Sequence, residues 1–301
     1  MHNLIIKENY TYCENKRVLC ISGMLTQDVS FALKEFDFNE LRIGVGTWDD
    51  LSILSSLNGK IKKIVINAAS IDWDGISSLI EVKSLILTDY MKNQINFSKL
   101  VNLSELRIDG REENIEQIYT IKTLESVWLA NYKEVNLSKL EKLHNLVILE
   151  LVDSKKLSSL EGIECFTKLQ KLNLVCCTKL EDVDGIKSLS KLKMLRIDSC
   201  KKVRLTDDFS SLNNLKYLGI FRQKEILSLL PFKGCRSLEI LLVADLKVTD
   251  GKVQFIKELP NLKKLIFQHK KHYDENLTSF KRELLEKFGD YEIIEKYFSM
   301  V

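Results

Sequence analysis

The sequence predicts an α/β solenoid, in which short parallel strands stack into one sheet. Three observations lead to this prediction. An apolar anchor residue recurs every 21 to 24 positions along most of the 301-residue chain. Each anchor has an apolar residue three positions before it and another two positions after it. The segments that return from one anchor to the next are too short, and too irregular in their apolar spacing, for long helices.

The anchor frame is repeated in eleven consecutive units, and the triplet Leu146/Leu149/Leu151 shows it in full. In an extended strand, residues two apart point to the same side, so the anchor and the residue two beyond it both face inward. One unit cannot bury its apolar side alone, whereas a stack of units makes a continuous core. The anchors are Leu41, Ile64, Leu85, Leu106, Val127, Leu149, Leu172, Leu195, Leu218, Leu241 and Leu265.

The N-terminal part, residues 1–37, is predicted to be a cap, because terminal repeats need a polar outer face. Its sequence predicts a hairpin that turns around Glu14-Asn15-Lys16, followed by a short helix near Gln27–Phe36. Residues 38–270 form the array of about eleven repeats.

The C-terminal part, residues 271–301, is predicted to be a helical cap. A helix begins after Asn276 and stops at Gly289. The stretch "YEIIEKYF" predicts a second short helix. We expect these pieces to cover the open edge of the last strand. The apolar residues at helical spacing are Leu277, Phe280, Leu284, Leu285 and Phe288.

The frame resembles the leucine-rich repeat family, whose pattern L-x-x-L-x-L-x-x-N/C-x-L recurs every 20–29 residues. Brief return segments such as "LSSLEGIECFTKL" are similar to the short-repeat class of bacterial internalins and of a protein-phosphatase regulator. The resemblance covers roughly residues 38–270. It implies a horseshoe with a parallel β-sheet on the concave side and 3₁₀ or single-turn helices on the convex side.

One position departs from the family pattern. The asparagine expected five residues after the anchor is mostly absent, and Cys177 and Cys200 alone match its N/C alternative. The ladder of side chains that satisfies the loop backbone is therefore expected to be incomplete. The seven cysteines form no regular framework and fit reduced thiols better than disulfides.

The sequence gives no support for an enzyme, a metal site or a cofactor. It contains no G-x-S-x-G elbow and no G-x-x-x-x-G-K-[ST] loop, and the repeats occupy nearly the whole chain. The side chains of His269, His272 and Asp274 are of types that can ligate a metal. The positive charges of Lys270 and Lys271 beside them would repel a cation. A non-enzymatic protein without metal or cofactor is expected.

The net charge and the N-terminal sequence indicate which partners and which cellular compartment to expect. The formal net charge of +3 gives no electrostatic reason to expect nucleic acid or a membrane as partner. The start "MHNLIIKENYTYCENKRVLC" shows neither a secretory signal nor a transmembrane helix. These features predict a cytoplasmic, monomeric protein, with signal-less export left open. The Lys- and Asn-rich composition indicates a bacterial source.

The candidate partner site lies on the positions one before, one after and three after each anchor, which are predicted to face solvent. Tryptophan, tyrosine and arginine are enriched in interface hot spots, and an apolar strip on an open sheet face is unusual. Three alternatives stay open: the strip is covered by the C-terminal cap, its isolated exposed apolar residues have no function, or Arg107/Asp109 and Arg196/Asp198 are plain ion pairs. The candidates are Arg107, Asp109, Trp128, Glu150, Met194, Arg196, Asp198, Tyr217, Phe221 and Leu242.

The sequence thus favours a non-enzymatic recognition scaffold that binds a protein partner of unknown identity on its concave face. An inhibitor of an enzyme, including an immunity protein against a bacterial toxin, is one alternative. A secreted effector that acts on a host protein is another.

Overall fold

The structure is a computed structural model, and it describes residues 4–67, 70–88, 90, 92 and 94–289. It divides into two compact units, Met1–Trp128 and Leu129–Val301. This boundary falls within the predicted repeat array, at neither of the predicted cap boundaries.

The first unit opens with an antiparallel hairpin and a helix. Strands β1 (Leu4–Ile6), β2 (Tyr10–Cys13) and β3 (Val18–Met24) pair in order, and the turn between β2 and β3 lies at the predicted place. Helix α1 (Gln27–Glu35) is capped by Thr26, whose side chain accepts a hydrogen bond from the Val29 amide. The hairpin and the helix predicted for this end are therefore confirmed.

From β3 onward the first unit adds parallel strands. Helix α2 (Trp73–Ser77) and three 3₁₀ segments (Ser52–Leu57, Phe97–Lys99 and Ile115–Thr120) form its return segments. The short β6 pairs with β4. The strands are β4 (Glu40–Trp48), β5 (Lys63–Ile66), β6 (Ser70–Ile71), β7 (Ser84–Leu87) and β8 (Glu105–Asp109), and β9 (Ser126–Ala130) spans the boundary.

The second unit continues the parallel pattern in strict register, and β14 and β16 form a small second sheet. Its strands are β10 (Ile148–Val152), β11 (Lys171–Val175), β12 (Met194–Asp198), β13 (Tyr217–Phe221), β14 (Glu225–Ile226), β15 (Ile240–Ala244), β16 (Lys247–Val248) and β17 (Lys264–Phe267). Its 3₁₀ segments are Ser138–Leu140, Ile163–Cys165, Asp184–Ser188, Leu230–Phe232 and Gln254–Glu258.

The predicted anchors are the core of both units. Each of the eleven is the second residue of its strand, and none is more than 6% exposed. Anchors of neighbouring strands are register partners, as Leu149 and Leu172 are in β10 and β11. Burying a leucine side chain contributes about 1.5–3 kcal/mol, so the aligned anchors hold the stack together. The predicted leucine-rich repeat architecture is confirmed at the level of strands and core.

A left-handed residue follows each of six neighbouring strands of the main sheet, four positions after the anchor. These residues have φ between 51° and 57°. The Asp153 amide, for example, donates to the Val175 carbonyl of the next strand at 2.9 Å. This conformation turns the chain sharply and points the next side chain inward. The six are Asn131, Asp153, Cys176, Ser199, Arg222 and Asp245.

The inward residue five positions after the anchor forms the backbone ladder. The Cys200 thiol donates to the Leu174 carbonyl at 3.5 Å, and Cys177 makes the corresponding contacts one repeat earlier. Ser154 and Gln223 continue the ladder on either side, with Ser154 accepting from the Tyr132 amide. The ladder is thus longer than predicted, because serine and glutamine supply the polar atoms that asparagine usually gives.

Helix α3 (Thr278–Phe288) closes the described part of the second unit. The Asn276 side chain accepts a hydrogen bond from the Thr278 amide, and Gly289 ends the helix at a φ of 71°. Leu277 and Leu284 are buried. The first predicted C-terminal helix is confirmed, whereas the segment "YEIIEKYF" lies outside the described residues.

Candidate functional site

A continuous row of side chains crosses the first unit, one position after each anchor. Arg42, Val65, Ile86 and Arg107 are register partners on β4, β5, β7 and β8. Trp128 on β9 continues this row, because the Arg107 guanidinium lies 4.1 Å from the centre of the Trp128 ring. Both arginines are exposed, and the other three residues are partly exposed. We call these five residues the Arg–Trp row.

Both arginines of the row are held in place by neighbours. Arg107 stacks on Trp128, a contact worth about 0.5–1 kcal/mol at an exposed site. The Arg42 Nε donates to the Glu40 carboxylate at 2.6 Å. The row therefore presents two oriented guanidiniums with apolar Val65 and Ile86 between them. This arrangement suits binding and contains no group placed for proton transfer or nucleophilic attack.

A groove of about 350 Å³ lies beside the row, and its wall includes Arg42, Val65 and Cys20. Burial raises the pKa of the Cys20 thiol, and the nearby Arg42 only partly offsets this. The thiol therefore stays protonated near neutral pH and is a poor nucleophile. A second cavity, about 930 Å³, lies among return segments of the same unit and is lined by residues such as Val101 and Gln117.

Two predicted site residues serve the fold through ion pairs. Asp109 is 7% exposed and accepts hydrogen bonds from the backbone and guanidinium of Arg111. The Glu150 carboxylate pairs with the Lys171 ammonium at 2.9 Å. It also accepts a hydrogen bond from the side-chain amide of Asn173 at 2.9 Å. The expectation that Asp109 faces solvent is wrong, because its carboxylate folds back on the turn that ends β8.

Asp198 is the most deeply buried of the charged residues that the sequence assigned to the candidate site in the second unit. It is fully buried, although a solvent-facing position was predicted. Arg196 reaches it at 2.6 Å, and the Arg222 guanidinium also donates to it. A buried carboxylate is tolerated when it is paired and hydrogen-bonded in this way. The alternative of a plain ion pair thus holds for Arg196 and Asp198, with Arg222 as an additional member.

Three predicted apolar contact residues are likewise buried, which corrects the expectation that they face solvent. Met194, Tyr217 and Leu242 are 2%, 1% and 4% exposed, and they pack with fully buried Ile240. We call these four residues the Tyr217 cluster. Phe221 is partly buried and packs against it.

Gly219 makes this packing possible at the centre of β13. A Cβ at Gly219 would lie 2.6 Å from the Phe221 ring and 2.9 Å from the Tyr217 hydroxyl. Both rings therefore lean over the glycine. Desolvation in this setting raises the pKa of Tyr217 to about 12.

The ten candidates fall into separate contact groups. Arg107 and Trp128 touch each other in the first unit, and in the second unit Arg196 lies 5.5 Å from the Phe221 ring centre. The sequence-based site omitted Val65 and Ile86, although strand register alone would have placed them in line with Arg107. It also omitted Arg222, which the left-handed turn brings back to Asp198.

Neither a cluster of metal ligands nor a membrane-spanning helix is present in the described part of the chain. No group of three or more His, Cys, Asp or Glu side chains in it could hold a metal ion. His272 instead hydrogen-bonds with the Val248 carbonyl at 2.8 Å. Among the described residues, no helix has the length and apolar character needed to cross a membrane.

Comparison with known proteins identifies the fold. No protein-family model matches the chain, and no curated protein matches it. An internalin, InlF, from Listeria monocytogenes is 18% identical over 85% of this chain and 74% of its own, with a TM-score of 0.50. The TLR13 chain in a TLR13–ssRNA13 complex is 19% identical over 81% of this chain and 42% of its own, with a TM-score of 0.54. At such identities the likeness establishes the fold alone.

Proposed function

Because this chain is a leucine-rich repeat protein of the short-repeat type, we propose that it is a non-enzymatic scaffold that binds a protein partner through the Arg–Trp row. One observation carries the proposal: two exposed, oriented arginines flank an apolar centre, and one of them, Arg107, stacks against Trp128. Arginine and tryptophan are the residue types that most often dominate interface energies. The sheet face of repeat proteins is their usual extended binding surface.

The dimensions of the row describe the segment that it would bind. Neighbouring strands lie about 4.8 Å apart, so four steps from Arg42 to Trp128 span about 19 Å. An extended segment of about six residues has the same length. The guanidiniums favour carboxylates or carbonyl oxygens of the partner, and Val65 and Ile86 favour an apolar side chain between them.

A protein fits this face better than a nucleic acid. TLR13 was solved with a single-stranded RNA, but the face around the row here carries Glu40 and Glu105 beside its basic residues. A phosphate backbone favours one continuous positive surface. In this proposal the protein is monomeric and cytoplasmic, and an enzyme inhibitor or an immunity protein is a narrower form of it. An effector exported to act on a host protein is the alternative.

The test replaces Arg107 and Trp128, the stacked pair at one end of the row. We expect Arg107→Ala/Trp128→Ala to weaken partner binding at least 30-fold, since truncating a hot-spot residue costs about 2 kcal/mol or more. Wild type and variant are used for affinity capture from the native lysate, and the captured protein's Kd is then measured by calorimetry. The melting temperature should change little, because both residues reach solvent.

The matched control is Arg282→Ala/Leu285→Ala, which removes an exposed arginine and an exposed leucine from α3. It should bind the partner like wild type. Equal binding by the Arg107/Trp128 variant would place the interface elsewhere. Turnover of a substrate by the purified protein would contradict its non-enzymatic character.

A further inference from the structure

Lysines recur at one place in successive repeats of the second unit. This place is the turn that follows the inward ladder residue, six and seven positions after the anchor. Four successive turns, those after β9, β10, β11 and β12, carry six lysines, and all six are exposed. We call these residues the lysine stripe: Lys133, Lys155, Lys156, Lys179, Lys201 and Lys202.

Backbone hydrogen bonds hold the four turns in line. The Ser158 amide donates to the Val135 carbonyl at 2.9 Å, and the Glu181 amide donates to the Ser158 carbonyl at 3.0 Å. The Arg204 amide continues the series by donating to the Glu181 carbonyl at 3.0 Å. The strands before these turns pair in register from β10 to β12. The turns are therefore stacked at the strand spacing, and three steps of about 4.8 Å make the stripe about 14 Å long.

The fold gains nothing from aligning these positive charges. Two like charges 4 Å apart repel each other by about 1 kcal/mol in water. Thr178 occupies the place that Lys155 and Lys201 have in the neighbouring turns, so the turn accepts other side chains. In the described part of the chain, Lys202 alone of the six forms an ion pair, with Glu181 at 3.3 Å. The other five ammoniums are available to an anionic ligand.

We propose that the lysine stripe binds an acidic segment of a protein in extended conformation. At a rise of about 3.3 Å per residue, about four residues have the length of the stripe. The Asp or Glu carboxylates of this segment pair with the exposed ammoniums. The stripe belongs to the turns of the second unit, so the proposal goes beyond the Arg–Trp row of the first unit and does not rest on it.

A single acidic chain fits the stripe better than a nucleic acid or a membrane does. None of the residues six to eight positions after the four anchors is aromatic, so a nucleic-acid base has no ring to stack on. Acidic side chains that reach solvent, such as Asp153 and Glu181, stand before and after the turns in the chain. A duplex or a membrane is wide enough to meet these carboxylates, whereas one extended chain can follow the ammoniums alone.

The first experiment measures the binding of a fluorescein-labelled hexaglutamate peptide to the full chain by fluorescence anisotropy. We expect a micromolar Kd at low ionic strength, and weaker binding at about 0.15 M salt, where charges more than about 8 Å apart are screened. Lys155→Gln/Lys179→Gln/Lys201→Gln should weaken binding about 10-fold, because it removes one exposed ammonium from each of three stacked turns. The proposal is overturned if wild type does not bind the peptide, or if this variant binds it as tightly as wild type.

The matched control is Lys142→Gln/Lys191→Gln/Lys233→Gln, which lowers the net charge equally at three exposed lysines of the return segments. It should bind hexaglutamate like wild type. An equal loss of binding in both triple variants would mean that only the overall charge matters, and the stripe would then be no site. Both variants should keep the melting temperature of wild type, because all six side chains are exposed.

Two further probes decide the class of partner. They are a single-stranded oligouridylate of the same net charge as hexaglutamate, and phosphatidylcholine vesicles that contain phosphatidylserine. We expect both to bind more weakly than hexaglutamate at the same ionic strength. Tighter binding of either probe, lost in the Lys155/Lys179/Lys201 variant, would replace the acidic protein segment by a nucleic acid or a membrane.

Discussion

At the scale of single residues, the same backbone position has opposite roles in the two units. Arg107 and Trp128 project from the sheet and reach solvent, whereas Asn173 and Leu242, one position after their anchors, are 3% and 4% exposed. Their surroundings cause the difference. In the second unit, Asn173 donates to the Glu150 carboxylate and Leu242 packs in the Tyr217 cluster, so these two residues contribute mainly to stability.

The Tyr217 hydroxyl gives this burial a measurable pH dependence. Desolvation raises its pKa from 10.0 to about 12, so the phenol stays neutral up to a higher pH in the folded protein than in the unfolded chain. The stabilisation is full below pH 10 and is lost as pH rises from 10 towards 12. We expect Tyr217→Phe to lose less stability than wild type over this interval, measured by urea unfolding. Parallel loss in both proteins would show that the phenol is hydrated.

At the scale of the repeat element, a left-handed residue follows β9, β10, β11, β12, β13 and β15 and is a regular backbone feature of these repeats. Asn131 and Asp153 tolerate this conformation, but Cys176 and Arg222 have no intrinsic preference for it. A hydrogen bond from the amide to the next strand, as from Cys176 to Asp198, accompanies it at five of the six residues and favours this conformation. The conformation is therefore a property of stacked repeats and not of the local sequence.

Cys176 is the site at which to measure the cost of this turn. Cys176→Gly should raise the free energy of unfolding by up to about 1 kcal/mol, because glycine adopts positive φ without strain. Cys176→Val should lower it by about 1–2 kcal/mol, because a β-branched side chain is strained there. Chemical denaturation of both variants against wild type gives the two values. The idea fails if valine is tolerated as well as glycine.

The sequence predicted the elements well because inward-facing residues repeat in a fixed pattern. The triplet around Leu149 identifies a strand, its register and its buried side without further information. The burial of Met194 and Tyr217 was beyond such reasoning, since alternation assigns a side chain to a face and says nothing of what lies over that face. The ion pair of Asp198 with Arg222 was missed for a related reason: a left-handed turn reverses the expected direction of the arginine.

At the scale of the whole molecule, stability comes from contacts between neighbouring repeats. Each strand pairs with the next in register, and the 3₁₀ segments Ile163–Cys165 and Asp184–Ser188 contact each other on the return side. In such a stack, stability is close to a sum of repeat and interface contributions. Damage to one repeat should therefore stay close to that repeat.

Leu195, the anchor of β12, is fully buried and tests this locality. Leu195→Ala should lower the free energy of unfolding by about 2–5 kcal/mol, as large-to-small core substitutions do. Hydrogen exchange of amides in β11, β12 and β13 should accelerate, while amides of β4 and β5 in the first unit keep their protection. Uniform acceleration across the described strands would mean that the chain opens as one cooperative body.

The stretch from the residue before each anchor to the ladder residue five positions after the anchor tolerates no change in length. Adding or removing one residue inside this stretch would move the later side chains of that strand to the opposite face. The spacing between anchors nevertheless varies from 21 to 24 residues, and this variation lies in the return segments. Insertions are thus absorbed in the return segments, which lie outside the sheet, and the register of the strands is kept.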